Sequence, residues 1–96
     1  MVKYFHTYIL LCSDNSYYTG ITDDIERRLI EHNSDEYPKS YCHTRRPVQL
    51  VFAEMFLDPV PAIEFEKQIK GWSRKKKEAL IERNFDKLHE LATYKI

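Results

Sequence analysis

Glu66 stands four residues after Ala62 and three before Ile69, so on a helix its carboxylate shares the face those apolar side chains use for packing. A carboxylate is seldom set on such a stripe unless it is paired or bound to a metal. With no Cys or His cluster beside it, the metal that suits a lone carboxylate is a hard, partly hydrated cation such as Mg2+ or Mn2+. The plainer alternative is an ion pair with Lys70 or with a buried Arg, and on spacing alone that alternative is the stronger. Arg28 and His32 are four residues apart on one helix face, beside Ile25 and Leu29. A guanidinium suits forked contact with a phosphate. An Arg28–Asp24 pair and a surface His32 explain the same residues without a site, and spacing alone favours that too. Tyr8 and Tyr18 default to core packing with hydroxyls that find a partner. A free tyrosine, with a pKa of about 10, is a poor base at neutral pH unless a metal or cation lowers it.

Positive charge is clustered although the formal net charge is zero. Arg74, Lys75, Lys76 and Lys77 follow one another, with Lys67 and Lys70 just before them, and Arg27–Arg28 and Arg45–Arg46 form two further pairs. The run behind Ser73 places cations at a helix N-terminus, where the macrodipole disfavours them and a phosphate would compensate. A solvated face with Glu78 and Glu82 as helical partners accounts for it equally well. Tyr37, Tyr41, Arg45 and Arg46 have the composition of a stacking and phosphate-contacting loop, and also that of any exposed loop.

The elements that must position these residues follow from periodicity and turn chemistry. Tyr4 to Cys12 and Tyr17 to Ile21 are rich in aromatic and β-branched residues and flank Ser13-Asp14-Asn15-Ser16, the pattern of a β-hairpin. Thr22 or Asp23 is placed to cap a helix running to about Asn33. Ser34 to Pro47 reads as a long polar loop, of the length at which loops are often functional, and Val48 to Phe56 as a third strand. Pro59 and Pro61 open a second helix that Gly71 ends near Lys70. Ser73 caps a third through Arg83, and Asp86 a short last one with Leu88 and Leu91. The order β-β-α-β-α-α-α predicts an α+β layout, a three-stranded antiparallel sheet flanked by helices.

Ninety-six residues with 43% hydrophobic and 31% charged composition suit one compact domain over residues 1–96 rather than a disordered or membrane-embedded chain. The opening stretch, broken by His6 and Thr7, is too short to span a bilayer and lacks the pattern of a secretory signal, so a cytoplasmic location is expected. Cys12 and Cys42 have neither CxxC spacing nor the density of a disulfide scaffold and are expected to be reduced thiols.

Four stretches, in order, resemble the GIY-YIG endonuclease family. Thr7-Tyr8 and Tyr18-Thr19-Gly20 are similar to its paired strand motifs, although the first reads His6-Thr7-Tyr8 without the glycine of the family name. Arg28 and His32 match its helix, with Arg28 preferred to Arg27 because the family's Arg immediately precedes a large apolar residue, here Leu29. Glu66-Lys67-Gln68-Ile69-Lys70 matches its later Glu segment, and the continuation Gly71-Trp72-Ser73 resembles the small stand-alone bacterial members. Phe65 stands where a basic residue is common. The resemblance covers residues 4 to 83 and implies metal-dependent hydrolysis of DNA phosphodiester bonds, in repair or recombination. It implies that Tyr8 activates water, Tyr18 positions water or phosphate, Arg28 stabilises transition-state charge, His32 supports them, and Glu66 holds one Mg2+ or Mn2+. DNA contact falls to Arg27, Arg45, Arg46, Lys70, Arg74, Lys75, Lys76 and Lys77. A chain this short implies recognition of DNA structure rather than base sequence, with targeting left to a protein partner. The rival readings are a non-catalytic DNA-binding module that kept the fold and a protein-interaction adaptor.

Overall fold

A computed structural model describes residues 3–93. Alternation of side chains across strands β1 (Phe5–Leu11), β2 (Tyr17–Thr22) and β3 (Gln49–Phe56) divides the core into two sides. The sheet is antiparallel, in the order β2-β1-β3, so β1 is central. The first hairpin turns where expected: Asp14 accepts from the Ser16 backbone N–H and hydroxyl, and Asn15 takes the left-handed conformation (φ 69°) that asparagine tolerates. β3 carries a bulge at Val51, between the pairs Ile9–Phe52 and Leu10–Leu50.

On one side of the sheet, Tyr8, Leu10 and Cys12 pack with Cys42 and Val48 under Ile25 and Leu29 of α1 (Ile25–His32). On the other, Ile9 and Phe52 pack with Ile69 of α2 (Pro59–Lys70), Leu80 of α3 (Arg74–Ile81) and Leu88 of α4 (Phe85–Thr93). Each fully buried aliphatic side chain of this kind contributes about 1.5–3 kcal/mol. Thr7 Oγ1 donates to the Ala62 carbonyl at 2.8 Å, fixing α2 against β1. Both cysteines are free and buried.

The α+β order stands, and two caps are corrected. Asp24, not Thr22 or Asp23, caps α1: its carboxylate accepts from Arg27 N, while Thr22 Oγ1 accepts from Asp24 N and Asp23 pairs with Lys3 and Arg27. Asn84, not Asp86, caps α4 by accepting from Lys87 N, which leaves Asp86 in the first turn, where an acid favours the dipole. α3 ends two residues before Arg83, which takes a positive φ of 55°. The polar loop contains a short 3-10 turn, His43–Arg45, and its ends are tied by Asn33: the side-chain oxygen accepts from Val48 N at 2.7 Å and the amide donates to Val48 O at 3.0 Å.

Candidate active site

Tyr8 projects from the central strand into the α1 side of the core, 1% exposed, and its hydroxyl lies 2.9 Å from His32 Nε2. α1 carries His32 one turn after Arg28, so both reach the same end of β1 and β2. Tyr18 packs edge-on against His32, with centroids 5.1 Å apart, and stacks on Tyr41 from the loop at 5.8 Å. The register places Gly20 opposite Tyr8. A Cβ at Gly20 would collide with the Tyr8 hydroxyl and lie 2.5 Å from its Cζ, so this glycine is required for space and not for an unusual backbone angle. Gly20→Ala is therefore expected to cost about 1–3 kcal/mol of stability, read by denaturant unfolding, because the buried ring has nowhere to move. An unchanged midpoint would show that the Tyr8 ring is not held as described.

The electrostatics of the pair follow from burial. Loss of hydration pushes the Tyr8 phenol up to about 12, against the opposing pull of the Arg28 guanidinium beside it. His32 is held below the ordinary imidazole value, first by burial and then by the charge of Arg28. At neutral pH the pair is thus a protonated phenol against a neutral imidazole. Arg28 donates to Glu31 Oε1 at 3.2 Å, and its Nε–H is buried without a partner. The expected Arg28–Asp24 alternative is not formed, since Asp24 is occupied as the helix cap. A cleft of about 430 Å³, lined by Tyr18, Arg28, Glu31, His32, Tyr37 and Lys39, opens beside the pair.

Glu66 faces the sheet from α2 with Ala62 and Ile69, as its spacing required, and its side chain is 11% exposed. It is also paired with Lys70 at 2.6 Å, so the plainer alternative is formed in the structure. Tyr18, on edge strand β2, touches His32, and β2 also packs against α2, the helix that carries Glu66 and Lys70. Among the described residues no group of three or more His, Cys, Asp or Glu could enclose a metal. A metal at Glu66 would have one protein carboxylate and otherwise water or substrate oxygens, which fits Mg2+ or Mn2+ and not Zn2+.

The other cations are distributed less simply. Arg27 is at the surface with Asp23 and Glu31. Arg45 pairs with Asp14 at 3.0 Å over the Tyr41 ring, and Arg46 pairs with Asp35 at 2.9 Å, so both brace the loop. Arg74 is compensated without a phosphate: it donates to the Asn15 carbonyl, covers the Tyr17 ring and pairs with Glu78. Lys76 lies over Trp72 and Lys77 is partly buried, which lowers its pKa, while Lys75 is exposed. Glu31 and Asn33 were missed from the sequence. Glu31 was open to detection, three residues after Arg28; the Asn33–Val48 bonds cross a loop and leave no local signal.

The model of the GIY-YIG catalytic domain matches residues 4–79, which hold every residue of this constellation. The chain belongs to the GIY-YIG family. A UPF0213 protein of Haloquadratum walsbyi is 46% identical over 86 residues, covering 90% of this chain and 96% of its own. One from Staphylococcus saprophyticus is 49% identical over 76 residues, with 79% and 92% covered. Among solved structures, the solution NMR structure of a protein from E. faecalis shares 38% identity at a TM-score of 0.61, covering 86% of this chain and 88% of that one. That of a UPF0213 protein from Bacillus halodurans, also 38% identical, has a TM-score of 0.54, with 82% and 83% covered. The chain thus shares the fold of small GIY-YIG proteins and carries a nuclease-type catalytic domain.

Proposed function

We propose that this GIY-YIG protein is an endonuclease that hydrolyses DNA phosphodiester bonds with one divalent cation, Mg2+ or Mn2+, at Glu66. The observation that carries the reading is the buried Tyr8–His32 pair beside an arginine whose Nε–H has no partner. When bound, the metal supplies Lewis-acid polarisation of the phosphoryl oxygens. Tyr8 accepts a proton from the attacking water as its own proton passes to His32 Nε2. Because the two transfers are coupled, Tyr8 never carries a free negative charge, which a phenol pushed up to about 12 would resist. Arg28 donates its free N–H to a non-bridging oxygen as charge develops there. Tyr18, in contact with His32 on the strand that α2 packs against, positions the water or the phosphate.

DNA contact is assigned to Lys75, Lys76 and Lys77, and to Arg27 and Lys70 on release from their ion pairs with Asp23 and Glu31 and with Glu66, while Arg45, Arg46 and Arg74 act chiefly through the loop and turn they brace. The reading carries with it a single domain over 1–96, recognition of DNA structure rather than sequence, and a cytoplasmic role in repair or recombination with a targeting partner. Among the described residues no helix is long and apolar enough to cross a membrane.

The test is incubation with labelled linear, branched and flapped DNA and Mg2+ or Mn2+, with EDTA controls. Metal-dependent cutting is expected, and binding without cutting on every substrate would overturn the proposal in favour of a non-catalytic module. Within this assay Arg28→Ala should lower the single-turnover rate by about 10²–10³ while DNA affinity changes little, and Arg27→Ala should do much less. The reverse ranking would show that Arg27, and not Arg28, has this role.

A further inference from the structure

The Glu66–Lys70 contact is the shortest described ion pair, and its members differ in surroundings: the Glu66 side chain is 11% exposed, that of Lys70 57%. A carboxylate so little exposed needs a counter-charge. The residue supplying it sits on a flexible four-carbon stem with most of its surface in water, so it can withdraw by a side-chain rotation while the helix stays in place. An ammonium and a divalent cation compete for the same carboxylate, of which Lys70 holds Oε2. α2, which carries Lys70, packs against β2, the strand of Tyr18, so the ammonium is carried by a helix next to the strand of the Tyr8–His32 cluster.

We propose that Lys70 is the resident counter-cation of Glu66, displaced when a divalent cation binds, and that the freed ammonium then takes up a phosphate oxygen of the bound strand. The proposal rests on the reading of Glu66 as the metal residue. Before metal arrives, the pair keeps the carboxylate charged and oriented. The exchange lowers apparent metal affinity by the fraction of time Lys70 occupies Glu66. DNA, by offering the ammonium another partner, raises that affinity, and metal raises DNA affinity by the same factor.

The test is isothermal titration of Mg2+ into the intact protein without DNA, comparing the parent with Lys70→Met, Lys67→Met and Glu66→Gln. Lys70→Met should bind Mg2+ about tenfold more tightly than the parent. Lys67→Met removes a cation from the same helix that is not the partner of Glu66, and should shift affinity less than about threefold. In the parent, NMR of the lysine ammonium groups should show a protected Lys70 signal that is lost on adding Mg2+. Equal or weaker affinity in Lys70→Met, an equal gain in Lys67→Met, or a Lys70 signal that survives Mg2+ would each overturn the exchange. If Glu66→Gln abolishes Mg2+ binding while Lys70→Met leaves it unchanged, only the exchange fails. If Glu66→Gln leaves Mg2+ binding intact, the metal reading fails and the exchange with it. Lys70→Gln serves in place of Lys70→Met if thermal unfolding shows the latter misfolded.

Discussion

Glu66→Gln should lower the single-turnover cleavage rate by on the order of a thousandfold or more, at saturating DNA and any Mg2+ concentration, because the amide keeps the shape of the side chain and loses the charge a divalent cation needs. Stability should change by no more than about 1 kcal/mol. A pair between two buried charges would cost about 3–5 kcal/mol to break, but Lys70 is 57% exposed and water takes over its solvation. Removing the ionised carboxylate also relieves its burial, which offsets part of the lost attraction. Thermal unfolding and cleavage on the same sample decide the matter. A variant that melts early yet still cuts at the parent rate per folded molecule would show Glu66 to be a structural residue and leave the metal without a site.

Tyr8→Phe is the second large effect. The ring stays in its packing, 1% exposed, and only the hydroxyl is lost. If that hydroxyl relays the proton of the attacking water, the rate should fall by about 10²–10⁴ with DNA affinity little changed. The parent rate should also report His32. The imidazole accepts a proton only when neutral, and burial and Arg28 hold its pKa below the ordinary value. Activity should therefore be full at neutral pH and fall only as the pH drops through that lowered value. The phenol, at about 12, adds no limb in the working range. A Tyr8→Phe rate within tenfold of the parent, or a loss of activity that already sets in at or above the ordinary imidazole value, would remove Tyr8 and His32 from the proton path.

What was legible in the sequence is what short-range pattern controls. The hairpin follows from two β-rich runs around Asp14 and Asn15, the second helix from Pro59 and Pro61, and the inward face of Glu66 from its spacing to Ala62 and Ile69. The caps went to neighbouring polar residues because Thr22, Asp23 and Asp24 are all competent, and only the backbone path selects Asp24. Arg45 was open to a phosphate role in the sequence because its partner Asp14 is 31 positions away. The Tyr8–His32 bond spans 24 positions, and no periodicity announces it; only the family resemblance placed the two residues in one site. Spacing offers Arg28 two acids at helical distance, Asp24 and Glu31; Asp24 serves the helix end, and Glu31 takes the pair.

The paired bonds from Asn33 to Val48 give the intervening segment the character of a clasped handle. Its second half is bound to the hairpin, through Tyr41 on Tyr18, Cys42 beside Tyr8 and Arg45 on Asp14, while Asp35 to Lys39 is exposed. Closing a longer flexible segment between fixed ends costs only about 0.6 kcal/mol per doubling of length. Residues between Asp35 and Ser40 lie on the rim of the cleft, with Tyr37 and Lys39 facing it. The exposed stretch from Asp35 to Lys39 is therefore where an insertion would reshape the rim of the cleft while the residues beneath it stay in register.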